Sequence, residues 1–293
     1  NDRKSTKFFE YFLRLCDEKN TAGNIGNWNS CYKHLLIYEK NRNITFDEID
    51  TEWVKGFRDY LDNANYARTE ATNNRKIALN SKYSYFNKLK ACLRQAFEDR
   101  IISYNPAVSV KGYDQMESTR MYLTIQEVKR LAETRCKSDI VKRTFLFSCL
   151  TGLRRSDIER ITRGDVHQRG EDTRIVYRQK KTHGQEYLDI NQQASDLMGE
   201  RRGSHELVFG KLPCFDYVNN TIRQWVATAG IDKDITFHCG RHTFATMMLD
   251  LDTDIYTVSK LLGHREISTT QIYAKIMDKN KQNAVGKIPS IFD

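Results

Sequence analysis

Prolines are scarce, three in 293 residues, and glycine supplies only 15. With so few residues that break or bend a backbone, a mainly helical fold is favoured over a turn-rich all-β one. Apolar runs are short, and none approaches the roughly 20 residues that a membrane-crossing helix needs. No apolar leader follows the opening Asn1-Asp2-Arg3-Lys4. A cytoplasmic, nucleoid-associated place of action is therefore expected, with no membrane partner. The seven cysteines are odd in number and include no Cys-x-x-Cys, so reduced and mostly buried thiols are expected rather than disulfides or a thiolate zinc site. Other motifs are missing too. The chain has no G-x-x-x-x-G-K-[ST], no H-E-x-x-H, no G-x-S-x-G and no dense acidic cluster. Those absences weigh against a nucleotide-driven motor, a zinc protease, a serine hydrolase and a two-metal nuclease. His238, Cys239 and His242 lack a fourth ligand at a fitting spacing, so no metal is expected, and no other cofactor.

What the chain does have is positive charge. Lys and Arg number 47 against 38 Asp and Glu, a net +9. The excess is shared, with 19 basic residues against 15 acidic in 1–115 and 28 against 23 in 116–293. An extended positive surface for a polyanion, most simply nucleic acid, fits this better than one basic tail. The length suggests two domains. A segment over 104–120 with Asn105-Pro106, Gly112 and crowded polar residues separates them. The expected division is 1–110, a linker at 111–121, and 122–293 with a tail from about 278.

Periodicity fills in the elements. Phe8, Phe9, Phe12, Leu13 and Cys16 recur at helical spacing within Lys7 to Lys19, and a second helix is expected from Trp28 to Glu39. Thr45-Phe46-Asp47-Glu48 reads as a capping box ahead of Ile49, Trp53, Phe57 and Leu61. A long helical stretch is expected from about Ala71 to Asp99, with Phe86, Leu89, Leu93 and Phe97 on one stripe. Arg68 to Arg94 within and before it holds seven Lys/Arg and a single acid, Glu70. Arg75, Lys76, Lys82, Lys88 and Lys90 are its candidate DNA contacts, although most such charge runs are solvated helix faces. Further on, Thr124 to Glu127 is a second capping box, and Val141 to Leu150 reads as a buried helix, with a short helix from Ser156 to Ile161. Two strands, 174–178 and 186–190, flank a plausible hairpin turn that holds Lys180, a further candidate DNA contact, and Lys181. Helices return at 215–229, 240–250 and 255–262. Ser268 to Gln271 reads as a third capping box that would put Tyr273 early in a helix. The expected class is mainly α with a small antiparallel sheet.

Five short motifs in the second half carry the chemistry. Arg154 ends Thr151-Gly152-Leu153-Arg154; His238 and Arg241 bound His238-Cys239-Gly240-Arg241; His264 ends Leu261-Leu262-Gly263-His264; Tyr273 lies nine residues later. A phosphodiester repels nucleophiles because its non-bridging oxygens are negative. Two guanidinium forks neutralise that charge in the transition state. A tyrosine beside such cations becomes a nucleophile once a base takes its proton, a role open to His238. His264 is placed to donate to a non-bridging oxygen. The leaving sugar oxygen needs a proton, and Lys181 on the hairpin suits that task, with Lys180 as the alternative. Each residue has a plainer reading. Most of the 15 tyrosines must be core or surface residues, His242 reads as a capping or buried residue, and either arginine alone would be a structural ion pair, for instance with Asp157 or Asp165.

Taken in order, these motifs resemble the tyrosine recombinases, or phage-type integrases, over about residues 120–277. The resemblance implies a helical core-binding bundle followed by a catalytic domain. It implies attack by Tyr273 to form a 3′-phosphotyrosine, with Arg154, Lys181, His238, Arg241 and His264 at catalytic positions and Asp157 supporting the first arginine. It also implies partners: double-stranded DNA with specific core sites, a homo-tetramer assembled on DNA from free monomers, DNA-bending accessory proteins, and a C-terminal segment, 278–293, that packs on a neighbour. Integration or excision of a mobile element is the expected use. Many integrases of mobile elements carry a small arm-site domain, for which no room exists before Lys7. The alternatives are relaxation of DNA by a type IB topoisomerase, or a DNA-binding regulator without catalysis.

Overall fold

The computed structural model describes residues 6–19, 24–67, 75–116, 120–170, 172–178, 184–200 and 203–274. The chain divides into two compact units, Asn1–Ser118 and Thr119–Asp293. No described helix is long and apolar enough to cross a membrane.

The first unit contains α1 (Phe8–Glu18), α2 (Ile25–Tyr38), α3 (Thr51–Asn63) and α4 (Leu79–Glu98). In α1, Phe8, Phe12, Leu15 and Cys16 share a face and are buried, so helical periodicity alone orients it inward. The expected capping box at Thr45 is present, closing a single 3-10 turn at Phe46–Glu48. α3 opens on Asp50, whose side chain accepts from the Trp53 amide, a cap contributing about 1 kcal/mol. The core is aromatic: Phe8, Phe12, Trp28, Phe57 and Phe86 are almost completely covered.

Two expectations for α4 need correction. The helix starts at Leu79: Ala78 is extended, and the described residues before it are tied to the end of α3 and beyond by Tyr66 N to Arg75 O (3.0 Å) and Ile77 N to Ala64 O (3.3 Å), while 71–74 of the expected stretch lie outside the described residues. Those bonds use backbone groups that a helix would need. Phe97 is exposed, because Ala96 takes the inward position after Leu93.

The second unit holds α5 (Ile125–Glu133), α6 (Asp139–Thr151), α7 (Arg155–Ile158), β1 (Val166–Arg169), β2 (Asp172–Arg178), β3 (Gln185–Ile190), α8 (Gln192–Met198), α9 (Phe215–Thr228), α10 (Cys239–Asp250), α11 (Ile255–Leu261) and α12 (Ser268–Ala274). The antiparallel sheet runs β1-β2-β3, with Val166 opposite Ile175 and Ile175 opposite Leu188. Ile175, Leu188 and Ile190 face the core. The sequence expectation missed β1 and α8. The Thr124 capping box is formed, and Glu127 also holds Lys233 at 2.6 Å. α6 and α10 make the centre of this unit. Their close approach depends on Gly240, where a Cβ would sit 2.9 Å from Ser148 Oγ.

Candidate active site

Left-handed backbone opens the site. α6 ends at Gly152, with φ 70°, a conformation that an L side chain resists. A Cβ there would also lie 2.6 Å from Phe244 Cδ1 and 2.9 Å from Leu262 Cδ2. The turn therefore requires glycine on two counts. It delivers Arg154 to the start of α7, with Nη1 3.8 Å from buried Asp157 Oδ2.

Arg241 comes from α10 and is 4% exposed. Its Nη1 donates to Gly152 O at 2.7 Å and its Nη2 to Leu262 O at 2.6 Å. One guanidinium thus ties the Thr-Gly-Leu-Arg turn to the Leu-Leu-Gly-His turn. Burial, and then the charge of Arg154, lower its pKa to about 10, which leaves it a cation at neutral pH.

α12 closes the site and is bonded to two histidines. Thr270 Oγ1 is 2.8 Å from His264 Nδ1, and the Tyr273 phenol oxygen is 2.7 Å from His242 Nδ1. Tyr273 lies three positions after Thr270, so both lie on one helix face. Tyr273 is 3% exposed and packs in an apolar cluster with Phe244, Ala245, Leu249, Val258 and Leu262. Burial raises its pKa, while Arg241, Arg120 and Arg154 pull it back down. His242 is pushed to about 3, first by burial and then by His238, Arg120, Arg241 and His264; it is neutral at any physiological pH. His238 is exposed at the head of α10, its ring 4.6 Å from that of His242 and nearly perpendicular to it.

Of the residues singled out from sequence, Arg154, Asp157, His238, Arg241, His264 and Tyr273 come together here. Lys180 and Lys181 lie outside the described residues, between β2 and β3. Ser268 is the first residue of α12 rather than its cap, and Tyr273 lies five positions further on, in the second turn. Sequence reasoning did not assign a role to His242, Thr270 or Arg120. Adjacency to Arg241 and helical spacing from Tyr273 were available signals for the first two; Arg120 had none.

The basic stretch of the first unit looks different. Lys76 donates to Asn63 O, Lys82 pairs with Asp62 at 3.0 Å, Lys88 donates to Asn24 Oδ1 at 2.6 Å and Lys90 to Val110 O at 2.9 Å. Burial lowers the Lys88 pKa. Arg75 is exposed. Four of these five cations are thus bonded to acceptors within their own unit.

The second unit gathers two guanidinium groups, three imidazoles and a phenol around one place, with Asp157 as the partnering acid. Such a set suits a phosphodiester anion under nucleophilic attack. Comparison with known proteins agrees. Residues 121–280 match the model of the Phage integrase family, and residues 7–111 match that of the Phage integrase SAM-like domain. The chain belongs to the phage integrase family, and with it to the tyrosine-type site-specific recombinases. It is 25% identical over 289 residues to tyrosine recombinase XerD of Oceanobacillus iheyensis, covering 92% of each chain. It is 26% identical over 232 residues to XerD of Listeria innocua, covering 72% of this chain and 75% of the relative. Among solved structures, a lambda integrase dimer bound to a COC′ core site matches with TM-score 0.70 at 14% identity, over 94% of this chain and 97% of that one. The XerH recombinase bound to palindromic difH substrate matches with TM-score 0.68 at 17% identity, over 94% and 83%. These two likenesses establish the fold, mainly helical with a small sheet.

Proposed function

We propose that the site cleaves and rejoins double-stranded DNA at specific core sites through a covalent bond from Tyr273 to a 3′-phosphate. The observation that carries this reading is the phenol of Tyr273 held at 2.7 Å by a neutral histidine next in sequence to Arg241. Arg154 and Arg241 bind the scissile phosphate and neutralise charge on its non-bridging oxygens; each such donor contributes roughly 3 kcal/mol to the barrier reduction. His264, fixed by Thr270, donates to one of those oxygens. The phenol oxygen bonds to phosphorus as the bond to the 5′-oxygen breaks. The phenol proton passes to His238, and the departing oxygen takes one from Lys181, with Lys180 as the alternative. Asp157 holds Arg154 in place. The phosphoester bond energy is kept in the tyrosine link, so attack by a new 5′-hydroxyl restores DNA without ATP.

Recombination needs two DNA sites and hence four such links, which favours a homo-tetramer assembled on DNA from free monomers. Integration or excision of a mobile element is the use for which we propose this chemistry. The direct test mixes the protein with nicked duplexes that let the 5′-hydroxyl fragment escape. The parent chain should form an SDS-stable protein–DNA adduct, and Tyr273→Phe should form none. Strand transfer between two duplexes, rather than sequence-blind plasmid relaxation, should separate a recombinase from a type IB topoisomerase.

A further inference from the structure

The geometry points to His242 as a positioning residue: its Nδ1 sets where the nucleophilic oxygen of Tyr273 stands relative to the phosphate held by Arg241. This rests on the reading of Tyr273 as the nucleophile.

Three observations carry it. First, the Tyr273 ring packs in an apolar cluster of Phe244, Ala245, Leu249, Val258 and Leu262, and the His242 ring lies beside it at 5.5 Å. Apolar packing is non-directional and does not aim a hydroxyl. Among the described residues, the phenol oxygen is aimed by a directional contact with His242 Nδ1, at 2.7 Å.

Second, His242 is itself held rigidly. It is next in sequence to Arg241, whose guanidinium is fixed by the carbonyls of Gly152 and Leu262. α10 packs so closely on α6 that a Cβ at Gly240 would lie 2.9 Å from Ser148 Oγ. The His242 ring meets the ring of His238, one turn earlier, at 4.6 Å and 83°. One rigid helix therefore carries both the holder of the phosphate and the holder of the nucleophile.

Third, α12 is moored to the site by side-chain hydrogen bonds at two positions on one face. Its polar attachments through Thr270 and Tyr273 both end on histidines of this site. Without His242 the helix keeps the His264 end of its mooring and loses the end at the nucleophile. A nucleophile displaced by about 1 Å loses on the order of 100-fold in rate.

The test uses substitutions that separate geometry from bulk. His242→Leu keeps volume and removes the polar atom. His242→Asn restores a polar atom where Nδ1 stood, and His242→Gln places one where Nε2 stood. Each is compared with the parent and with Tyr273→Phe on a pool of end-labelled nicked duplexes of randomised sequence, following adduct formation, duplex affinity by anisotropy, and Tm. We expect His242→Leu and His242→Gln to form adduct about 100-fold more slowly, with affinity for the same duplexes unchanged. His242→Asn should recover to within about tenfold of the parent, with an unchanged pH profile, because an amide positions but does not take a proton. If His242→Leu matches the parent rate, or if His242→Asn falls as far as His242→Gln, the inference is overturned. If His242→Leu does not fold, the contrast between Asn and Gln decides alone. A persistent adduct with Tyr273→Phe would instead overturn the reading of the nucleophile.

Discussion

Each unit buries polar side chains, but to different ends. In the first unit, His34 and Glu39 find partners nearby and stop there. His34 Nδ1 lies 3.1 Å from the Tyr60 hydroxyl and its ring stacks on Tyr85; Glu39 accepts from Trp53 Nε1 and Arg42. In the second unit, buried Arg241 and His242 from α10, Thr270 from α12 and Asp157 from α7 face one place. A buried polar group that closes a local pair adds specificity to packing. Several that converge, cations among them, leave bonding capacity directed at something outside the chain.

This contrast can be broken in three ways. The largest effect is expected from Arg241→Lys. An ammonium cannot bridge the Gly152 and Leu262 carbonyls while also presenting a fork to phosphate. Adduct formation should fall by roughly 10²–10³, and stability by about 1–3 kcal/mol from the carbonyl left unpaired; the adduct assay and urea unfolding measure the two. If only stability changed, Arg241 would belong with His34 as a packing group.

The second effect is acid sensitivity of the first unit. Burial lowers the His34 pKa from 6.5 to about 4. The unfolded chain then binds a proton at higher pH than the folded one does. Stability is complete above pH 6.5 and is lost as the pH falls toward about 4, by roughly 3 kcal/mol. Trp28 and Trp53 in the first unit report its unfolding by fluorescence. His34→Gln should flatten the pH dependence there without altering adduct chemistry. The smallest effect is Glu39→Gln, which keeps an acceptor for Trp53 and loses the charge-assisted bond to Arg42. A loss near 1 kcal/mol is expected in the same fluorescence assay.

What could be read in the sequence divides along physical lines. Helices with strong periodicity, such as α1, and those opened by a capping box, such as α5, were legible because local forces specify them. β1 was not: Val166-His167-Gln168-Arg169 offers one apolar side chain, and β2 supplies the pairing that makes it a strand. The start of α4 was hidden for a similar reason, since bonds from Tyr66 and Ile77 across to Arg75 and Ala64 override a helix-compatible composition. At the candidate site, short motifs marked the residues whose chemistry is unusual for their surroundings. For His242 the sequence offered only its adjacency to Arg241, which names no partner. A histidine in an apolar helix reads as core until a tyrosine 31 positions later is brought to 2.7 Å from it. Contacts to the reacting group that form only through tertiary structure are not written in the residues on either side.

A guanidinium anchored by two peptide carbonyls has lost its rotamer freedom during folding, before any substrate arrives. An arginine free in solvent would give up as much as about 2 kcal/mol of side-chain entropy on clamping an anion. For Arg241 that loss belongs to the stability of the domain and not to the binding step. The turns at Gly152 and Leu262 thus serve as fixed supports for a charge that meets phosphate without rearranging.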